Sequence, residues 1–295
     1  MENKIRRRTR NKDRKQSKSL HLGSIHMLIS TVLLLLLAST ALLPDIFTVV
    51  LCCVFAAILS IAMPELFNNP ARQHATITLW VVGFIAMILL LFDTAFLTIS
   101  LCMGFGLLCC FLNEIFRFSS RENLLYSLST NIVAMLCVVG SIAWIIFTDL
   151  YSWHFYVLPL CISVMVTMLF SNALLHIKGY SNYKYKYFIT SIITFVTSFI
   201  VSWIMVKIAY SVGYQLYVTS AVLLDSSDQF ILNYLIPIVY STIISVISLG
   251  YLLVEKSLRV LQLKPKSIIS LIAMSLIPIS LISMPTYMLL RIIGG

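Results

Sequence analysis

The stretch from Leu125 to Phe147, LYSLSTNIVAMLCVVGSIAWIIF, holds 23 consecutive residues without Asp, Glu, Lys or Arg. About 20 predominantly apolar residues let an α-helix cross a hydrocarbon layer of about 30 Å, whereas membrane barrel strands are about ten residues long and alternate in polarity. This run is continuous and twice a strand's length, so it reads as a membrane-crossing helix. Similar runs, bounded by proline or by charged and polar clusters, lie on both sides of it, at 25–43, 46–63, 76–92, 94–112, 155–176, 188–210, 232–254 and 268–292. Together they predict an all-α, polytopic transmembrane helix bundle of about nine crossings. Composition agrees: of 295 residues, 60% are hydrophobic and 11% charged, with a mean hydropathy of +0.97. A soluble domain carries about 25% charged residues, so a soluble globular fold is excluded.

The net charge of +10 is concentrated rather than spread, because nine of the 21 Lys and Arg fall between Lys4 and Lys18, opposed only by Glu2 and Asp13. Residues 1–24 read as a basic cytoplasmic tail and 25–295 as the transmembrane domain. A basic cluster directly before an apolar span sets orientation and attracts anionic lipid headgroups, which outweighs nucleic-acid binding as its expected role. With the N-terminus in the cytoplasm, 19 of the 21 Lys and Arg fall on the inner side, leaving Lys207 and Arg291 outside. That asymmetry predicts a cytoplasmic N-terminus, an outer C-terminus and an odd number of crossings in the cytoplasmic membrane. Tyr180, Tyr183, Tyr185 and Tyr187, interleaved with Lys184 and Lys186, belong at the inner headgroup level on this layout; Tyr151, Trp153, Tyr210, Tyr214 and Tyr217 belong at the outer one. Ile25 to Leu43 is expected to remain as a signal anchor, since its basic leader is long for a cleaved signal peptide.

One internal similarity is visible. Asp45, Glu65 and Arg72 recur as Asp93, Glu114 and Arg121 at offsets of 48, 49 and 49, which suggests parallel hairpin repeats over 25–75 and 76–124. Glutamate and arginine seven residues apart share a helix face, so Glu65 with Arg72 and Glu114 with Arg121 are expected as ion pairs at the inner face.

Chemistry-bearing residues are few. The seven cysteines all lie within apolar runs without CxxC spacing and read as small packing residues. No metal site, cofactor motif, phosphate loop, HExxH or GxSxG pattern is present in the sequence. His154 and His176 are placed at helix ends with no third metal ligand in view, and Asp225 and Asp228 read as a helix cap in the segment from Ser211 to Ile231. The carboxylates all map to helix ends or loops, which argues against a midplane proton carrier. Two helices carry hydroxyl stripes: Ser191, Thr194, Ser198 and Ser202 on the seventh, and Ser241, Ser245 and Ser248 on the eighth. Such stripes pack membrane helices closely or line a polar path. Pro237 is expected to break the start of the eighth helix, and Pro278 and Pro285 to interrupt the ninth, freeing backbone carbonyls.

These features favour a permease-like protein that binds or moves a small or amphipathic solute without its own ATPase. The alternatives are a non-transporting scaffold for a membrane protein partner and an intramembrane lipid-modifying enzyme using Glu65 or Glu114.

Overall fold

The computed structural model describes residues 25–40, 42–69, 71–92, 96–116, 123–149, 154–176, 185–211, 236–260 and 267–294. The basic tail, Asp93, Arg121, Tyr180, Tyr183 and the segment holding Asp225 and Asp228 lie outside the described residues.

Among the described residues there are nine α-helices: α1 Ile25–Thr40, α2 Asp45–Leu66, α3 Arg72–Phe92, α4 Phe96–Ile115, α5 Leu124–Ile142, α6 His154–His176, α7 Lys186–Ser211, α8 Ile236–Val260 and α9 Ile268–Gly294. Six of them, α2 to α7, are long and apolar enough to cross a membrane; the apolar stretches of the other three, Ile25–Thr40, Ser241–Val254 and Ile268–Leu281, are shorter. Helix length and composition make this a multi-pass membrane protein.

The surface shows which solvent the helices are built for. On α7, Phe188, Ile192, Val196, Ile200, Ile204 and Ile208 recur every fourth residue and are between 48% and 68% exposed. In water so long an apolar stripe would aggregate; against lipid it costs nothing, and the polar residues turn inward. Hydroxyls within the helices are satisfied locally, as where Ser60 Oγ donates to the Ala56 carbonyl at 2.8 Å and Ser30 Oγ to that of His26 at 2.9 Å.

Helix α5 is the hub. Of its most apolar 18-residue window, 83% is buried, against 22% for that of α7. It packs against α2, α3, α4 and α9, while α6, α7 and α8 form a second, three-helix group that α9 joins through α8. The starts of α1 and α9 and the ends of α2 and α8 meet in one cluster of Ile29, Leu66, Val254, Leu271 and Met274.

Three expectations need correction. The run quoted first is not one uniform helix: α5 tightens into a 3₁₀ turn over Ala143–Asp149, where Trp144 Nε1 donates to the Ile279 carbonyl at 3.3 Å and Thr148 Oγ1 to that of Ile145 at 2.6 Å. Helix α9 runs unbroken from Ile268 to Gly294, so Pro278 and Pro285 do not interrupt it; the lost backbone bonds leave carbonyls but no gap. Helix α8 begins at Ile236, one residue before Pro237, a position near the helix start where a missing N–H is harmless. It also continues past residue 254 to Val260, because charged side chains end a hydrocarbon span without ending a helix.

Candidate functional site

The hydroxyl stripes of α7 and α8 face each other. Ser198 Oγ donates to Ser245 Oγ at 2.8 Å, and Ser245 Oγ lies 3.3 Å from the Phe195 carbonyl. The same register extends along the pair: Tyr187 lies eleven residues before Ser198 and Lys256 eleven after Ser245, and the Lys256 ammonium sits 6.0 Å from the Tyr187 ring. Two antiparallel helices in constant register therefore bring Ser202 level with Ser241. At about 1.5 Å rise per residue, eleven residues span about 16 Å, half a bilayer's hydrocarbon thickness.

Helix α6 supplies a third stripe that the sequence reading passed over. Ser163, Thr167 and Ser171 are spaced by four and all buried, and Ser171 Oγ meets Thr194 Oγ1 at 2.7 Å. That contact lies near the end of α6 and the start of α7, so these helices too are antiparallel, and their register puts Thr167 level with Ser198 and Ser163 level with Ser202. The interior of the α6–α7–α8 group is thus three stacked layers of hydroxyls. Ser171, Thr194 and Ser248 form one, Thr167, Ser198 and Ser245 the next, and Ser163, Ser202 and Ser241 the third. All nine side chains are buried. Ser191, the first member of the expected α7 stripe, is only half-buried and donates to the Tyr187 carbonyl at 2.7 Å.

The layers are unequally satisfied. Thr167 and Ser171 bond to carbonyls one turn back, and Ser202 Oγ donates to that of Phe199 at 3.1 Å. Among the described residues the hydroxyls of Ser163, Ser241 and Ser248 find no hydrogen-bond partner. Three residues beyond Ser248, the buried Tyr251 hydroxyl is also without one, as are both ring nitrogens of His26, whose ring centroid lies 6.3 Å from that of Tyr251. A line of unspent polar atoms thus runs along α8 from Ser241 toward the start of α1.

A second polar group ties the α2–α3 turn to α4 and α5. The left-handed backbone of Asn68, with φ of 48°, turns the chain after α2 and delivers Asn69 into the interior. There Asn69 Nδ2 donates to Asn131 Oδ1 at 2.8 Å and to Thr130 Oγ1 at 3.1 Å, while its Oδ1 accepts from the Ala71 N–H at 2.8 Å and lies 3.1 Å from Ser127 Oγ, whose proton goes to Glu114. Both amide hydrogens of Asn69 are spent, and its oxygen accepts from a backbone N–H. Glu114, buried on α4, accepts from Ser127 Oγ and, at 3.3 Å, from Asn131 Nδ2. The Tyr126 hydroxyl closes the group by donating to the Phe67 carbonyl at 2.5 Å.

The two glutamates of the internal similarity therefore live in different surroundings. Glu65 forms the expected ion pair with Arg72, at 2.6 Å, with the arginine half exposed. Glu114 faces α5 side chains, and its expected partner Arg121 lies outside the described residues. The α5 contributors Ser127, Thr130 and Asn131 sit inside a long run without charges, which hides them; their spacing of three and one, on a single face, is the available signal.

The chain matches no protein-family model, no curated protein and no solved structure. Among the described residues no group of three His, Cys, Asp or Glu is placed to hold a metal ion. A groove of about 100 Å³ between α2 and α3, lined by Cys53, Ala56, Ser60, Trp80, Gly83 and Met87, offers only apolar contact, since Ser60 is already bonded to its own helix. Pro278 packs against Gly250, where an added Cβ would lie 3.3 Å from the proline, so it serves the α8–α9 contact. Of the two polar groups, the one around Asn69 is saturated and serves as an anchor. The hydroxyl layers hold three unspent hydroxyls, on Ser163, Ser241 and Ser248, close together among the described residues.

Proposed function

We propose that this chain is a permease-like protein of the cytoplasmic membrane that binds or moves a small or amphipathic solute between α6, α7 and α8, with its N-terminus in the cytoplasm and its C-terminus outside. It would work without an ATPase of its own. The observation that carries the reading is the trio of buried, partnerless hydroxyls on Ser163, Ser241 and Ser248, set within layers of six other hydroxyls. An unsatisfied buried hydroxyl costs about 1–3 kcal/mol, and apolar or alanine side chains would pack these helices without that cost. Retaining three of them at one junction favours a second arrangement in which the same oxygens meet water or solute. The direct Ser198–Ser245 bond leaves no room between those two atoms, so the present arrangement is an occluded one.

The interior is hydroxylated but uncharged, which suits a neutral polar group and penalises an ion. The orientation rests on the confinement of 19 of the 21 Lys and Arg to one side of the predicted layout.

Cysteine accessibility tests the reading. In a variant with the seven native cysteines replaced, Ser163→Cys, Ser241→Cys and Ser248→Cys are treated in intact membranes with a charged methanethiosulfonate, with Tyr185→Cys at the exposed helix start as the reactive control. Modification of the interior cysteines is expected. If the control reacts and none of the three does, the interior is permanently dry and the permease reading fails.

A further inference from the structure

Two buried rings meet where the start of α1 packs against the later part of α8. His26 and Tyr251 are both fully enclosed, at 0% exposure, with ring centroids 6.3 Å apart and planes tilted by 54°. Both imidazole nitrogens and the phenol oxygen lack a hydrogen-bond partner among the described residues. The hydroxyl one turn along α1 does not serve the ring, because Ser30 Oγ donates to the His26 backbone carbonyl at 2.9 Å. One turn earlier on α8 the buried Ser248 hydroxyl is likewise unspent. One turn further along each helix the surroundings become apolar: Ile29 of α1 and Val254 of α8 join Leu271 and Met274 of α9 in one cluster.

Unpaired polar atoms in an interior are costly, and leucine or phenylalanine would fill the same space without that cost. The atoms also define what would satisfy them. A buried imidazole with no acid on either nitrogen is neutral and offers one N–H donor and one lone pair, while phenol and serine hydroxyls each donate once and accept. A ligand matched to this set must both donate and accept, and it must be uncharged, since these three side chains carry no charge to offset the desolvation of an ion. A hydroxyl group meets both conditions. Two hydrogen bonds of about 2.8 Å in series reach across about 5.6 Å, enough to link rings at this separation.

We propose that His26, Tyr251 and Ser248 form a binding site for a neutral hydroxyl group at the α1–α8 junction. The hydroxyl belongs either to an enclosed water or to an alcohol whose hydrocarbon part lies against Ile29, Val254, Leu271 and Met274. Two of the three members, His26 and Tyr251, lie outside the hydroxyl layers of α6, α7 and α8, and the site depends on neither solute movement nor membrane orientation.

A double-mutant cycle on the full-length protein in a neutral detergent, read by thermal unfolding, tests for the shared ligand. His26→Leu and Tyr251→Phe remove the hydrogen-bonding atoms and change the volume little. The two rings do not bond each other directly, so a bound hydroxyl makes each single substitution lower Tm and makes the double variant melt no lower than the less stable single. His26→Gln, which keeps a donor and an acceptor, should melt closer to wild type than His26→Leu, which separates hydrogen bonding from loss of fold. Photolabelling with a diazirine-bearing octanol, followed by peptide mass spectrometry, decides the source of the hydroxyl. An alcohol site is labelled within residues 25–29 or 251–254, excess 1-octanol but not octane suppresses the label, and the double variant loses it; a water site gives the same cycle with no label there. Single substitutions that leave Tm unchanged or raise it and that add in the double variant, or labelling of these segments that survives in the double variant, overturn the assignment.

Discussion

Replacing Gly140 by alanine should damage this protein more than any comparable change in a lipid-facing helix. A Cβ at Gly140 would lie 2.2 Å from the backbone oxygen of Ser280 and 3.0 Å from its carbonyl carbon. Ordinary C···O contacts are about 3.3–3.6 Å, so α5 and α9 would have to part by about 1 Å, and a backbone oxygen has no rotamer by which to yield. Overpacking of this kind costs about 1–3 kcal/mol. Separation would also loosen two bonds at the crossing, Ser283 Oγ to the Gly140 carbonyl at 2.5 Å and Trp144 Nε1 to that of Ile279, each worth about 0.6 kcal/mol between membrane helices. The total is about 2–4 kcal/mol, or roughly 5–10 °C in Tm for a chain of this size. The assay is thermal unfolding of the detergent-solubilised protein followed by size-exclusion chromatography. Gly104→Ala is the internal control: a Cβ there meets nothing within 4 Å, and removing a helical glycine should be neutral or stabilise by about 0.5–1 kcal/mol. If Gly140→Ala melts within about a degree of wild type while staying monodisperse, α5 and α9 do not cross at this point and the packing scheme is refuted.

Other outcomes follow from the same geometry. Asn69→Ala strands Asn131 Oδ1 and the Ala71 N–H at once and should destabilise by about 2–4 kcal/mol, whereas Arg72→Gln, at a half-exposed ion pair, should cost about 0–1 kcal/mol; equal losses would contradict the burial assigned to the Asn69 group. Glu114→Gln should be tolerated better than Glu114→Ala, because an amide oxygen still accepts from Ser127, and the reverse order in unfolding experiments would mean that the network is not what holds Glu114. In a solute screen by thermal shift, any stabilising solute should lose its effect in the Ser198→Leu/Ser245→Leu double variant; an undiminished shift would place the solute outside the α6–α8 interior. Reporter fusions to the full chain should place the Tyr183 segment in the cytoplasm and the C-terminal glycines outside, and finding both on one side would overturn the orientation.

Helix positions were legible because membrane spans are set by a single large term, the cost of exposing polar groups to hydrocarbon, which composition records directly. All nine predicted runs correspond to helices, with ends displaced by a few residues. The displacements are local: α2 runs through Pro64 to Leu66 although the proline has no N–H for the Ser60 carbonyl, and α3 starts at Arg72, within the loop expected from its charge. The hydroxyl stripes of α7 and α8 were visible by periodicity, but their pairing was not, since register depends on the connection between helices. Ser163, Thr167 and Ser171 have the same periodicity and lacked only a partner to give them meaning. The Asn69 group was invisible for a different reason, being assembled from a turn and two helices about 60 residues apart in sequence, a proximity that no local pattern encodes.

The crossing at Gly140 also bears on how the chain is made. Ser283 follows Gly140 by 143 residues, and at synthesis rates of about 5–20 residues per second the notch on α5 stands open for roughly 7–30 s before α9 emerges to fill it. During that interval lipid tails or an insertion factor must occupy the space beside the most enclosed helix of the protein. Any fusion or stop codon placed before residue 283 freezes the chain at this stage and exposes it to membrane proteases, so truncated versions will report on quality control rather than on the finished molecule.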